Sequence, residues 1–174
     1  MKALFVNGSP RKNWNTHKML ESAMKGASDA GAECELVHLY DLNFKGCMSC
    51  FACKLKNAKT HGLCAIHDEL RPVLEKALAS DVIVMSSPVY LLGATAAMRA
   101  FMERLAFPAA SYSIDEKTGS YVRVLGKQKY SAIIFTMNGT KEAADRFNFD
   151  TVLGSCAVGM QFSLGYCETL CAYN

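Results

Sequence analysis

No apolar run in this sequence reaches the roughly 18 residues that a membrane-spanning helix requires. The apolar part of the N-terminus, MKALFVNGSP, is too short for a secretory leader and reads as a first strand. The expected compartment is therefore the cytoplasm, with no membrane partner. Charge of one sign is scarce as well. The formal net charge is only +3, and the densest basic spots, Lys54–Lys56–Lys59 and Lys127–Lys129, fall short of the concentrated stripe that grips nucleic acid. They read as solvated surface, and no nucleic-acid partner is expected. Internal repeats, low-complexity tracts and linkers are missing too, so residues 1–174 are expected to form one domain around a single core. The loop after the first strand carries neither G-x-G-x-x-G nor G-x-x-x-x-G-K-[ST], which argues against a dinucleotide fingerprint or a nucleotide triphosphatase loop. No Ser–His–Asp-like arrangement stands out.

What is present is alternation. Ala3-Leu4-Phe5-Val6 is a continuous apolar run ending at Asn7-Gly8, the form of a strand buried on both faces. Met19, Leu20, Ala23, Met24 and Ala27 then recur at helical spacing, and Gly31 supplies a stop. Leu36–Leu39 predicts a second strand. Leu70, Val73, Leu74, Ala77 and Leu78 predict a helix, and Val82–Met85 is the clearest strand of the chain. Ala97, Met98, Phe101, Met102 and Leu105 share the next helical face. Residues 107–128, with Pro108, Gly119 and Gly126, read as a long loop or small hairpin offering Tyr112 and Tyr121 for stacking. A fourth strand at Tyr130–Phe135, a helix within Lys141–Cys156 and a last strand within Gly165–Ala172 complete the series.

Such alternation implies an α/β fold, a parallel sheet with helices on both faces. Right-handed crossovers leave few arrangements, among them the doubly wound five-strand order 2-1-3-4-5. Little chain follows the last strand for a closing helix. Part of the sheet is accordingly expected to be covered by another subunit, in a homodimer or homotetramer.

In such sheets ligands bind beyond the carboxyl ends of the strands, where strand order reverses. The first loop there is Gly8-Ser9-Pro10-Arg11-Lys12-Asn13-Trp14-Asn15-Thr16, running straight into a helix. Its hydroxyl and amide side chains can donate hydrogen bonds, and Arg11 can grip a phosphate with two parallel bonds. The helix N-terminus adds free N–H groups and partial positive charge. A plain strand-to-helix turn capped by Asn15 or Thr16 is the alternative. The loop Pro88-Val89-Tyr90-Leu91-Leu92-Gly93 offers apolar walls and backbone donors for a flat ring, or simply packs the strand end. After the fourth strand, Asn138 and Gly139 permit close backbone approach to a planar ligand, or form a turn before a capped helix.

Eight cysteines in a chain read as cytoplasmic point to metal or redox chemistry more than to disulfides. Cys34, Cys156, Cys167 and Cys171 sit among apolar neighbours and read as small buried hydrophobes. Cys47-x2-Cys50-x2-Cys53, then ten residues and Cys64, is the unusual feature. Two-residue spacing lets thiolates converge on one [4Fe–4S] cubane. Zinc held with His61 or His67 is a second reading, and a loop of thiols without metal a third.

GSPRKNWNT resembles the phosphate loop of the NADPH-dependent FMN reductase group of flavodoxin-like proteins, which includes the iron–sulfur flavoproteins. SPVYLLGATAAMRAFMERL resembles that group's second flavin loop and the helix after it. The likeness covers about residues 2–106. It implies a flavodoxin-like three-layer sandwich with FMN as cofactor. Ser9, Arg11, Asn15 and Thr16 would hold the FMN phosphate, and Pro88, Val89, Tyr90, Leu91 and Gly93 the ring. Two departures stand out: Trp14 replaces the family's usual Gly, and Cys64 lies farther from Cys53 than in iron–sulfur flavoproteins. The function implied is electron transfer from NAD(P)H through flavin to a small acceptor such as a quinone or free flavin. With no second dinucleotide motif, NAD(P)H and acceptor are expected to use one ring face in turn, by a ping-pong mechanism. The alternative is an electron carrier for a protein partner, with or without a [4Fe–4S] cluster.

Overall fold

The computed structural model describes residues 1–55, 62–119, 121–125 and 127–173. Lys56, Lys59, His61 and Gly126 lie outside the described residues, as do the side chains of Tyr112 and Tyr121. In chain order the elements are β1 (Lys2–Asn7), α1 (Asn15–Asp29), β2 (Glu33–His38), α2 (Arg71–Ala79), β3 (Val82–Pro88) and α3 (Ala96–Ala109). There follow β4 (Ala110–Ile114), β5 (Tyr121–Arg123), β6 (Lys129–Thr136), α4 (Lys141–Arg146), α5 (Phe149–Leu164) and β7 (Gly165–Ala172).

Five strands form one sheet in the order β2-β1-β3-β6-β7, every neighbouring pair parallel. Counted within this sheet alone, that is the doubly wound order 2-1-3-4-5. β4 and β5 stand apart as an antiparallel pair in the stretch read as a loop or small hairpin. Register aligns the carboxyl ends: Asn7 lies opposite both His38 and Ser86, Pro88 opposite Thr136, and Thr136 opposite Ala172. Among the described residues no helix is long and apolar enough to cross a membrane.

The strand period of two sends alternate side chains of β1 into separate cores. Leu4 and Val6 join Ile83, Met85, Ile133 and Phe135 against Leu74, Phe101 and Met160 of α2, α3 and α5. Ala3 and Phe5 meet Leu20 and Ala32 under α1, a much smaller cluster. On that thinner face Tyr130, Tyr166 and Leu170 of β6 and β7 stay exposed, the two tyrosine rings 6.2 Å apart.

The chain departs from its local pattern in three places. The helix read within 141–156 is two helices, broken where Asn148 takes φ +54°, a left-handed conformation that asparagine tolerates, and α5 runs on to Leu164. β2 begins at Glu33, and Leu39 turns out of it into a 3₁₀ turn. The position capping α1 belongs to Trp14, with Asn15 and Thr16 already helical. Gly31 does end α1, at φ +85°, with the Ala32 N–H returning to the Ala27 carbonyl.

Candidate functional site

The loops that leave β1, β3 and β6 are hydrogen-bonded to one another. The Gly8 N–H donates to the Ser86 carbonyl at 2.8 Å, and the Thr95 hydroxyl to the Gly8 carbonyl at 2.7 Å. Ser86 Oγ donates to the Thr16 carbonyl at 3.2 Å, and the Thr16 and Thr136 hydroxyls share a bond of 2.6 Å. The Val89 N–H donates to the Thr136 carbonyl at 2.9 Å. A Cβ on Gly8 would lie 2.8 Å from Met98 Cβ, so only glycine lets the first loop approach α3 this closely. Thr95 also caps α3, accepting the Met98 N–H, and receives support from Ser87 Oγ at its own N–H. Its place just before an apolar helical run is a cap signal that sequence reading passed over.

Within the first loop, Ser9 is buried and its hydroxyl closes the turn, accepting the Arg11 N–H at 3.1 Å. Arg11 is exposed, its guanidinium 4.5 Å from the centre of the Trp14 ring. Asn15 is exposed at the start of α1, and Thr16 is buried in the hydroxyl pair. Trp14 gives α1 no side-chain cap, and the first turn holds no acidic residue. N–H groups at that end therefore lack a side-chain acceptor, the condition in which a helix start receives an anion.

The second loop is a tight reversal. Tyr90 and Gly93 exchange both backbone hydrogen bonds, at 2.9 and 3.0 Å, around Leu91 and Leu92. Both leucines have positive φ, +46° and +61°, and Leu91 is 102% exposed. Two branched apolar residues held left-handed in solvent cost about 1–2 kcal/mol each, the kind of strain that gathers at ligand sites. Pro88 ends β3 and Val89 is half-buried against the core, so both brace the turn from below. Asn138 is exposed and Gly139 half-buried on the loop after β6.

The cysteine loop is built differently. Cys53 and Cys64 are buried, whereas Cys47 and Cys50 are exposed. Cys64 Sγ accepts a bond from Arg104 Nε at 3.3 Å. Arg104 is 1% exposed, and its remaining donors reach both Asp68 oxygens (2.5 and 2.9 Å) and the carbonyls of Lys45 and Ile66. Burial pushes the Cys53 thiol up, with Lys54 pulling the other way. Burial also raises the Asp68 carboxyl, but the Arg104 bond and charge outweigh it and hold the group below its ordinary range. Among the described residues no three Cys, His, Asp or Glu side chains are grouped as metal ligands. The four thiols expected to hold a [4Fe–4S] cluster, Cys47, Cys50, Cys53 and Cys64, are thus divided between solvent and core. Two thiols face solvent, and a guanidinium occupies a third. His67, the candidate zinc ligand within the described residues, is exposed. Of the other four cysteines, Cys156 and Cys167 are buried, and Cys34 and Cys171 half-buried.

A doubly wound sheet whose first, third and fourth crossover loops meet at the reversal of strand order is the flavodoxin-like arrangement. The chain belongs to the NADPH-dependent FMN reductase family, whose sequence profile matches residues 1–144. Curated relatives include an iron-sulfur flavoprotein of Archaeoglobus fulgidus, 36% identical over 105 residues (60% of this chain, 46% of that one). An iron-sulfur flavoprotein of Methanocaldococcus jannaschii is 31% identical over 124 residues (71% and 62%). The chain thus spans about half to two thirds of the length of these relatives. Among solved structures, an NAD(P)H:quinone oxidoreductase from Methanothermobacter marburgensis overlaps 99% of this chain and 85% of its own, with TM-score 0.75 at 15% identity. That likeness shows the fold.

Proposed function

We propose that this chain is an FMN-binding, NAD(P)H-dependent oxidoreductase that passes reducing equivalents to a small acceptor such as a quinone or flavin. The observation that carries the proposal is the mutual bracing of the three loops after β1, β3 and β6, through Gly8, Ser86, Thr95, Thr16 and Thr136. The residues fit the cofactor. The uncapped start of α1, with Arg11 exposed beside it, suits a phosphate dianion. The Tyr90–Gly93 turn offers exposed apolar side chains for a flat ring, and Asn138 and Gly139 offer backbone on a further side. Bound FMN supplies two-electron exchange between a nicotinamide and an acceptor. The protein's part is to orient the two and exclude water, for which Tyr90, Leu91 and Leu92 are the exposed cover.

The test is anaerobic purification with FMN, an absorption spectrum, and NADPH or NADH added to the sample. Flavin absorbance that bleaches rapidly supports the reading; protein that takes up no FMN overturns it. With one ring face serving both substrates in turn, double-reciprocal plots are expected to be parallel, and intersecting lines would refute that sharing. A second reading, an electron relay for a protein partner, draws support from the printed names of the relatives and from the four thiols. Iron and sulfide at about four per chain would favour it. A cytoplasmic homo-oligomer that covers Tyr130, Tyr166 and Leu170 belongs to the same proposal. Light scattering on Tyr166→Lys against the unaltered chain tests that assembly.

A further inference from the structure

Behind the first loop lies a polar cluster with no part in the reading above. Asn7 ends β1 and is fully buried. Its Oδ1 accepts the Ser9 N–H at 2.9 Å. A backbone N–H can only donate, so this bond fixes the orientation of the amide. Nδ2 then faces the other way, 3.2 Å from His38 Nδ1 and, at the limit of hydrogen bonding, 3.5 Å from His17 Nδ1. Nδ2 is a donor only, so in the closer contact His38 Nδ1 must accept, and the His38 imidazole is neutral with its proton on Nε2. On the outer side of the cluster His17 Nε2 lies 3.1 Å from Glu21 Oε1, placed to donate to it. The two rings come from the first turn of α1 and the end of β2, with centroids 5.2 Å apart.

We propose that Asn7 is a positioning residue for the FMN phosphate loop, held in place by neutral His38, and that acid unlocks it and releases FMN. The proposal rests on the flavin reading for its ligand, but not for the lock itself. A proton on His38 Nδ1 sets an N–H against the Asn7 amino group. Relief comes from turning the amide over, which gives Oδ1 to the imidazolium and leaves the Ser9 N–H facing an NH₂. The loop loses its buried anchor at that step. Burial, and then His17, hold the His38 imidazole below its ordinary range; Asp41 pulls it up, Lys12 down and Glu21 up, in falling order. Lys12 and Asp41 are themselves paired at 2.7 Å. A histidine depressed in this way leaves the order intact above about pH 6.5 and loses it as pH falls further. An imidazolium would also attract a phosphate dianion. That pull is set against the lost anchor, and both Nδ1 atoms are turned to Asn7 rather than to the loop.

Three measurements decide it. Imidazole ¹⁵N shifts of the ligand-free protein near neutral pH should show His38 protonated on Nε2; a proton on Nδ1 would overturn the lock. The Ser9 amide shift should titrate with a midpoint below about pH 6.5 and stay flat in His38→Asn, whose amide oxygen stands in for Nδ1 without titrating. Equal movement in both proteins would overturn the proposal. Between about pH 7.5 and about pH 5.5, FMN affinity should fall about tenfold more in the unaltered chain than in His38→Asn, the size of one lost hydrogen bond. Riboflavin, which has no phosphate, should show no such gap. Tighter FMN binding in acid by the unaltered chain would overturn the direction. If neither protein binds FMN near neutral pH, the flavin reading fails, and the two shift measurements still decide the lock.

Discussion

The loop after β1 and the loop after β2 leave the same edge of one sheet, yet they are held in opposite ways. The first is tied to its surroundings by several buried hydrogen bonds, from Asn7, Ser86, Thr95 and Thr136. Within the second, one buried cation, Arg104, gathers Lys45, Cys64, Ile66 and Asp68. Many weak ties fix a shape before any ligand arrives, and the cost of ordering is met in folding. A single charge fixes a neighbourhood, here including the Cys64 thiol, while Cys47 and Cys50 stay exposed. Preorganisation thus belongs to the loop after β1, and the cysteine loop is the part of this edge held through fewer residues.

Breaking the weaker arrangement should have the larger effect. Arg104→Ala leaves Asp68 without its partner and strips the loop of its centre, so unfolding in urea should show a loss of about 3–5 kcal/mol. A loss below about 1 kcal/mol would mean the loop is not hung on that cation. Thr16→Val leaves the buried Thr136 hydroxyl without a partner, at about 1–3 kcal/mol by the same measurement, and should weaken FMN binding in step. The double variant with Thr136→Val should recover part of that loss, whereas simple addition of the two would deny the pairing.

Leu91→Gly sharpens the comparison in the other direction. Relieving one left-handed leucine should raise the stability of the ligand-free protein by about 1 kcal/mol in thermal melts, while FMN affinity falls. A variant that melts lower would show that the turn is unstrained. The smallest effect is expected in acid. Asp68, held below its ordinary range by Arg104 against burial, contributes stability that is complete above about pH 3.8 and is lost as pH falls through the lower folded-state value. Asp68→Asn should flatten that part of the acid unfolding profile; an unchanged profile would rule the pair out as its source.

The strands that cross the middle of the sheet were legible because burial on both faces writes itself as Ala3–Val6 and Val82–Met85. The β4–β5 hairpin was legible only as one of two readings, loop or small hairpin, since strands of five and three residues around an Asp115–Gly119 turn carry too little periodicity. The site was legible as positions: the loop after β1 and the loop after β3 were marked by their motifs and their place on the fold. Its bracing was not. Ser86 to Thr16, Gly8 to Thr95 and Thr16 to Thr136 join residues 70, 87 and 120 apart, and no local pattern records such a bond. Arg104 could have been found. It falls three residues after Phe101 on the apolar stripe of α3, where a charge signals a buried partner. The four-cysteine spacing was plain, but spacing gives no account of which thiols face inward.

The Thr16–Thr136 bond also has a consequence in time. A growing chain carries the whole GSPRKNWNT segment, residues 8–16, long before the strand that supplies Thr136 is made. The first loop gains this tie only when β6 slots in beside β3. Contacts of such long range form slowly, and a domain folds as a unit. A ribosome stalled just before β6 therefore displays the whole segment with its ties to β3 and α3 available but its tie to the fourth strand of the sheet still missing.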